Sequence, residues 1–257
     1  MVGDNGMFHA TLDSTKTWKQ IVDALATLLT EAHFRVSESG ISLRQLDSSK
    51  AAMVDLALPS GIFQEYSCKG EHDICLGIDE LAKVSKRMTG DDHLEFNLDM
   101  DENRFEIRMI GQANRVFKLQ LLTPPDEQTK KPGIQFDVKA ELMADTFKQA
   151  IKDIGVVSSH VKISAEPEQL TFTGEGDTGE ANVALTTKGD APALFQLEIS
   201  GKAMAMYALN YLTEISKAIA SDSLMLQFTS NKPMMLEFPI AEAGSISFVL
   251  APRVERR

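Results

Sequence analysis

Apolar positions along this chain recur with two periods, and the alternation between them predicts an α+β fold. Spacing of two, the mark of a half-buried strand, runs through residues 41–46, 53–58, 93–98, 104–110, 115–121, 170–173, 182–185, 195–199, 224–228 and 245–250. These runs follow one another as antiparallel meanders do. Four stretches instead carry apolar residues every three or four positions and predict helices. Residues 16–32 place Trp18, Ile21, Val22, Leu25, Leu28 and Leu29 on one face, behind the candidate caps Ser14 and Thr15. Residues 79–88 do so with Leu81, Val84 and Met88, and 142–154 with Met143, Phe147, Ala150, Ile151 and Ile154. The fourth, 204–219, uses Ala205, Leu209, Leu212 and Ile219. Each helix has one apolar side suited to lying on a sheet.

The pattern stops at 123–133, TPPDEQTKKPG, which holds three of the nine prolines and no apolar side chain. Proline fixes φ and removes a donor while the charges keep the backbone in water. An exposed connector is therefore expected between a domain at 1–122 and a domain at 134–257. The sequence up to Leu122 carries 13 basic and 19 acidic residues, and the remainder 13 and 18. The halves also share sequence: Thr17-Trp18-Lys19-Gln20 recurs as Thr146-Phe147-Lys148-Gln149, and His33-Phe34-Arg35-Val36-Ser37 as His160-Val161-Lys162-Ile163-Ser164. Two matches in the same order, offset by 129 and 127 residues, indicate an internal duplication.

With 257 residues, 43% hydrophobic and 25% charged, the composition is that of a globular protein and excludes disordered, collagen-like and coiled-coil classes. No apolar run approaches the roughly 18 residues of a membrane span, and the first ten residues hold Asp4 without a basic flank or apolar centre. The only cysteines are Cys68 and Cys75, and no Asn-X-Ser/Thr acceptor occurs, so an intracellular protein is expected. The net charge of −11 would repel phosphates if spread evenly, so any role on nucleic acid must rest on a local concentration of cations. Such a concentration lies opposite the apolar helix faces: Lys16 and Lys19 on the first helix, Lys83, Lys86 and Arg87 on the second, Lys148 and Lys152 on the third, Lys217 on the fourth, with Lys202 just ahead of it. Solvated helix surfaces often carry Lys and Arg without any ligand, and Asp23, Glu31, Asp145 and Glu214 share these stretches.

Several motifs resemble chemistry without its context. Gly174-Glu175-Gly176-Asp177-Thr178-Gly179 satisfies GxGxxG, but a strand follows it where a phosphate-binding helix should start, and its three acids, counting Glu180, would repel an anion. A hairpin turn is expected instead. Asp99-Met100-Asp101-Glu102-Asn103 opens like a calcium loop but has Arg104 and Ile110 where glycine and glutamate belong, so it reads as a turn between strands. His9, His33, His72, His93 and His160 are scattered without metal-ligand spacing. No GxSxG elbow or Walker loop is present, and the sequence nominates no nucleophile, base or cofactor anchor.

Residues 40–68, GISLRQLDSSKAAMVDLALPSGIFQEYSC, closely resemble the signature region of the proliferating cell nuclear antigen family of DNA sliding clamps, in its archaeal form. Ala208-Leu209-Asn210-Tyr211-Leu212 looks like that family's last helix, and Leu250-Ala251-Pro252-Arg253-Val254-Glu255 like its carboxy-terminal motif. The resemblance spans essentially the whole chain. It implies the DNA clamp fold: two similar domains, each with antiparallel sheets outside and two helices inside, assembling head to tail as a trimeric ring. It gives the helix cations a role, lining a channel around double-stranded DNA read without regard to sequence.

The resemblance further implies that 108–117 of one chain lies beside 174–185 of the next, with Arg108, Arg115 and Lys118 facing Glu175, Asp177 and Glu180. It implies a pocket for a short aromatic-anchored partner peptide at Leu46, Lys50, Ala51, Met53, Pro233, Val249, Leu250, Ala251 and Pro252, with Ile134 as the connector's candidate. Lys50 stands where the eukaryotic family often has histidine and Val249 where it often has tyrosine, and the connector lacks the usual Leu-Gly-Ile-Pro run. From the residues alone, Leu46, Met53 and Leu250 read as sheet core. Implied partners are DNA polymerase, flap endonuclease, DNA ligase and a clamp loader. No cofactor, metal, membrane or catalysis is expected, and the location is cytoplasmic at an archaeal nucleoid, or nuclear in a eukaryote. A duplicated α/β enzyme or small-ligand protein remains the alternative class, and one subunit of a heterotrimeric clamp a third.

Overall fold

The structure, a computed structural model, describes residues 7–90, 92–125 and 129–253. Val254 and Glu255 of the carboxy-terminal motif, and connector residues 126–128, lie outside them. The chain divides into two compact units, each described by itself. Unit 1 takes Met1–Leu46, Val54–Lys130 and Pro239–Ile246, and unit 2 takes Asp47–Met53, Lys131–Phe238 and Ser247–Arg257.

Unit 1 opens with β1 (Phe8–Leu12), α1 (Thr15–Ala26), β2 (Glu31–Ser37), β3 (Gly40–Leu46) and β4 (Ala52–Pro59). It continues through β5 (Glu65–Cys68), β6 (His72–Gly77), α2 (Ile78–Ser85), β7 (His93–Asp99), β8 (Arg104–Ile110) and β9 (Arg115–Gln120). The strands form one sheet in the order β5-β1-β7-β8-β9 and a second run β4-β3-β2-β6. Ser14 caps α1 by accepting from the Thr17 N–H at 3.1 Å, and the helix buries Trp18, Ile21, Val22, Ala24 and Leu25. Trp18 is the centre of this core, its ring 4.5 Å from Phe96 and 6.5 Å from Phe34.

Unit 2 repeats this plan. It contains β10 (Val138–Met143), α3 (Ala144–Gly155), β11 (His160–Glu166), β12 (Gln169–Gly176), β13 (Gly179–Thr186) and β14 (Leu194–Ile199). Then come β15 (Ala203–Ala208), α4 (Leu209–Ala218), β16 (Ser223–Phe228), β17 (Met234–Ile240) and β18 (Gly244–Leu250), the end of β17 and the start of β18 being counted with unit 1. Its strand orders, β14-β10-β16-β17-β18 and β13-β12-β11-β15, match those of unit 1 element for element. The repeated peptides fall on equivalent elements: Trp18 and Phe147 are the buried aromatics of α1 and α3, and His33 and His160 lie in β2 and β11. The fold is duplicated as the sequence repeats predict.

All four expected helices overrun the observed ones, two of them by several residues. The apolar run at Leu28 and Leu29 fits either period, but from Ala32 the burial alternates through Phe34 and Val36, and the chain pairs with β6 as β2. Glu31 is therefore a strand residue. Likewise 203–208 alternates buried Ala203, Ala205 and Tyr207 with the more exposed Met204, Met206 and Ala208 and pairs with β11, so only Leu209–Ala218 is helical. Lys202 precedes that strand, not the helix. The stretch 142–154 loses its first two residues to β10, and α2 ends at Ser85, which leaves Lys86 at its cap and Arg87 and Met88 beyond it.

The GxGxxG segment is the β12–β13 hairpin, closed by the Gly176–Gly179 pair. Its glycines serve packing: a Cβ on Gly174 would lie 2.5 Å from Ile154 Cγ2, and one on Gly176 only 1.8 Å from the Val157 carbonyl oxygen. The acidic segment at 99–103 is the β7–β8 turn, with the Glu102 N–H donating to Asp99 Oδ1 at 2.9 Å. Gly40 starts β3 at φ +138°, where a Cβ would meet the Leu58 carbonyl oxygen at 2.2 Å. Left-handed strain of this kind costs about 1–3 kcal/mol before any clash is counted. Gly40→Ala is expected to lower unfolding stability by at least about 2 kcal/mol, checked by urea titration, with Gly61→Ala, in open space, as a near-neutral control.

Candidate functional site

The helix cations sit on the sides away from the two cores. In unit 1, α1 and α2 pack against each other. Lys16, Lys83, Lys86 and Arg87 are exposed, and half-buried Lys19 donates from Nζ to the Met88 carbonyl at 2.9 Å. In unit 2, α3 and α4 are neighbours. Lys152 is exposed, but Lys148 Nζ lies 3.6 Å from Asp145 and Lys217 Nζ 2.6 Å from Glu214. The cations thus differ: Lys148 and Lys217 are partly neutralised within their own helices, whereas no described carboxylate pairs with Lys16, Lys83, Lys86, Arg87 or Lys152. Solvent-exposed pairs of this type contribute little to stability, so either lysine can exchange its carboxylate for another anion.

Two open sheet edges carry the expected interface residues. Strand β9 ends the order β5-β1-β7-β8-β9, and β13 ends β13-β12-β11-β15. Val116 on β9 is 50% exposed, high for a valine within a strand. Within the expected span 108–117, Arg108 belongs to β8, one strand in from the edge. The cations are also engaged within unit 1: Arg108 pairs with Glu106, and Lys118 Nζ lies 3.4 Å from Glu102 and 3.9 Å from Glu106. Arg115 binds Asp92 and donates to the Arg87 carbonyl at 2.6 Å. Asp92 is buried, which alone would raise its pKa, but the Thr89 N–H and Arg115 outweigh that and hold it below the usual carboxylate range. On the other edge Glu175 meets Lys162 at 3.6 Å, while Asp177 in the hairpin turn and Glu180 on β13 are exposed.

Of the residues expected to form the pocket, Lys50, Ala51 and Ala251 belong to or bond with a loop organised by a carboxylate to which the sequence pattern assigned no role. Asp47, 7% exposed, accepts through Oδ1 from the N–H groups of Ala51 and Ala52, both at 2.8 Å. Its Oδ2 accepts from the Tyr211 hydroxyl of α4 at 2.8 Å and from the Ser49 hydroxyl at 2.5 Å. These bonds close a tight loop in which Lys50 takes φ 59°, and the Ala251 N–H then donates to the Ala51 carbonyl at 2.9 Å. Lys50 and Ala251 are exposed, and Ala51, Ile134, Pro233, Val249 and Pro252 half-buried. Met53 and Leu250 are 4% and 1% exposed, so they belong to the core and present no surface to a peptide. Leu46 departs from its core reading and is 40% exposed at the end of β3. Burial would raise the Asp47 pKa, yet the bonds from Ser49, Ala52 and Tyr211 prevail and keep it lowered. The signal for this hub was the Asp47-Ser48-Ser49 run, a common loop-closing sequence, and Tyr211, 164 residues away. Among the described residues no cluster of three or more His, Cys, Asp or Glu could hold a metal ion, and no helix is long and apolar enough to cross a membrane.

Comparison with known proteins extends over both units. The N-terminal domain of the proliferating cell nuclear antigen family matches residues 7–121 and its C-terminal domain residues 130–253. A DNA polymerase sliding clamp of Thermofilum pendens is 37% identical over 251 residues, covering 97% of this chain and 100% of the relative. One from Pyrococcus abyssi is 33% identical over 249 residues, 96% and 99% of the two chains. The crystal structure of PCNA from Thermococcus kodakaraensis superposes with TM-score 0.90 at 32% identity, covering 96% of this chain and 100% of that one. The PCNA of Entamoeba histolytica, at 23% identity and TM-score 0.89, shares the fold over 97% of this chain and 100% of its own.

Both lowered carboxylates carry a pH signature. Their contribution to stability is fully present above the unfolded-state pKa near 4 and is lost as pH falls through the lower folded values. Urea midpoints are therefore expected to fall below about pH 4, and Asp47→Asn to lower stability at neutral pH by about 1–3 kcal/mol while flattening that acid-side fall. Arg115→Ala is expected to cost about 2–4 kcal/mol in the dilute single chain, since it strips a buried carboxylate of its guanidinium. A loss confined to the assembled form would contradict the intrachain role of Arg115.

Proposed function

The chain belongs to the proliferating cell nuclear antigen family, and we propose that it works as a DNA polymerase sliding clamp in which three copies close head to tail around duplex DNA. The observation that supports this reading is the presence of two open edges, β9 and β13, on a chain that also turns cations out from its helices. Strand edges leave backbone donors and acceptors unpaired and accept another strand readily. Because β9 and β13 are different edges, pairing one with the other is heterologous, and a heterologous contact that closes makes a ring. Glu180 and Asp177 on one edge and Lys118 and Arg115 on the other add opposite charge.

Inside the ring, cations without a carboxylate partner among the described residues would meet phosphates. Lys16, Lys83, Lys86, Arg87 and Lys152 supply the strongest contacts, and Lys19, Lys148 and Lys217 add to them by releasing their present partners. No described side chain has to read a base edge, so binding is insensitive to sequence and the ring can move along the duplex. The net charge of −11 works with this arrangement, because the acidic remainder discourages DNA from adhering elsewhere.

Partners dock by a short peptide at the surface formed by Lys50, Ala51, Val249, Ala251 and Pro252, with Ile134 and Pro233 close in character and Leu46 at the end of β3. A replicative polymerase is the first such partner, and flap endonuclease, ligase and a clamp loader the others. The clamp itself performs no chemistry. It raises a partner's effective concentration at DNA, which can strengthen avidity by roughly 10² to 10⁴ without altering the partner's active site.

Sedimentation at low salt is expected to give a trimer at micromolar concentration that dissociates as salt rises, and a monomer under the first condition contradicts the ring. Replacing Lys83, Lys86 and Lys152 by alanine is expected to reduce polymerase stimulation severalfold and to lower the salt slope of DNA binding by about 0.9 for each phosphate no longer neutralised, with the trimer intact. Stimulation that stays unchanged across a salt titration assigns the channel wrongly.

A further inference from the structure

Unit 2 holds a groove of about 660 Å³ that shares only Glu175 and its partner Lys162 with the surfaces described above. Its floor is the solvent face of β11, β12 and β15, opposite the buried Val161, Ile163 and Phe172, and consists of Thr173, Met204 and Met206. Met204 is 53% exposed there, an unusual place for a long apolar side chain. The carboxy-terminal segment forms one wall, since the Arg253 N–H donates to the Met206 carbonyl at 2.7 Å.

The rim is basic in an otherwise acidic chain. The Arg253 guanidinium stands in contact with the His160 ring, and burial together with Arg253 pushes the His160 pKa down. No described carboxylate pairs with Arg253. Lys162 faces Glu175 at 3.6 Å, with both side chains well exposed, a pairing that water and salt weaken. Arg253, Lys162 and His160 thus converge on a space whose one acid is already engaged. What complements this set is a carboxylate, which a guanidinium binds with two parallel hydrogen bonds.

We propose that the groove takes an acidic segment of a partner protein, with a carboxylate held by Arg253 and His160 and an adjoining apolar side chain laid on Met204 and Met206. This rests on the reading that partners dock at Ala251 and Pro252, the residues that lead directly into Arg253. A partner peptide leaving that surface passes the groove, so the charge next to its anchor decides how tightly it binds. The groove sets preference among partners that share one anchor.

The test uses the assembled full-length protein and fluorescent synthetic peptides with a common aromatic anchor, flanked at one end or the other by Glu-Leu-Glu, Lys-Leu-Lys or Gly-Ser-Gly. At one of the two ends the Glu-Leu-Glu peptide is expected to bind about fivefold more tightly than the Gly-Ser-Gly peptide. Arg253→Ala and Lys162→Ala together should abolish that preference while leaving the neutral peptide's affinity unchanged, which also shows the variant to be folded. Equal affinities in the unsubstituted protein, or a preference that survives both substitutions, overturn the proposal. A preference that emerges only after residues 254–257 are deleted also overturns it, since the groove would then belong to the chain's own terminus. If the neutral peptide fails to bind as well, the docking reading has failed and the groove proposal falls with it.

Discussion

Unsatisfied backbone at two sheet edges is the constraint on which the rest of the molecule depends. A strand inside a sheet has both rows of N–H and C=O groups paired, whereas β9 and β13 each leave one row open. Natural proteins often blunt such edges with proline, a bulge or an inward charge. Neither strand contains proline, and β9 displays Val116. In the proposed ring these are the edges that join. Each unit has its own core, Trp18 with Phe34 and Phe96 in one and Phe147 with Phe172 in the other, so the proposed assembly would call for no refolding.

The second constraint is electrostatic. The chain carries 37 acidic and 26 basic residues, so attraction to DNA cannot come from its mean charge. In the proposed reading it comes from placement. Helix positions facing away from the cores hold cations, several without a carboxylate partner among the described residues, while many sheet cations are tied up, as Arg115 is by Asp92 and Arg108 by Glu106. Attraction confined to one surface and weak elsewhere suits a protein that must stay on DNA without stopping on it.

Much of this was legible in the sequence because it follows from periodicity and repetition. The repeats at Trp18 and Phe147, and at His33 and His160, mark equivalent helices and strands, and the acidic turns at 99–103 and 174–179 fall where the strands reverse. Boundaries were less legible wherever an apolar run suited both periods, as at Leu28-Leu29 and at 204–208. There the pairing of β2 with β6 and of β15 with β11 decides, and those partners lie about 40 residues away along the chain. Strands such as β1 and β6, where adjacent residues are buried together, lack the alternation that identifies a half-buried strand. The Asp47 hub escaped notice for a related reason: its hydroxyl donor Tyr211 is 164 residues distant, and no local pattern reports a contact of that range. The groove at Arg253 also depends on three strands and the terminal segment meeting, which no single stretch of sequence reveals.

The most direct measurement of the central claim is retention on DNA of defined topology. The protein is assembled on a nicked circular plasmid, washed with salt high enough to remove nonspecific binding, and cut with a restriction enzyme at a single site. A closed ring threaded by duplex stays with the circle through the wash and leaves soon after the cut, by sliding off the free ends. Equal retention on circular and linear DNA, or loss from both in the salt wash, would mean that the chain holds DNA by contact rather than by encirclement.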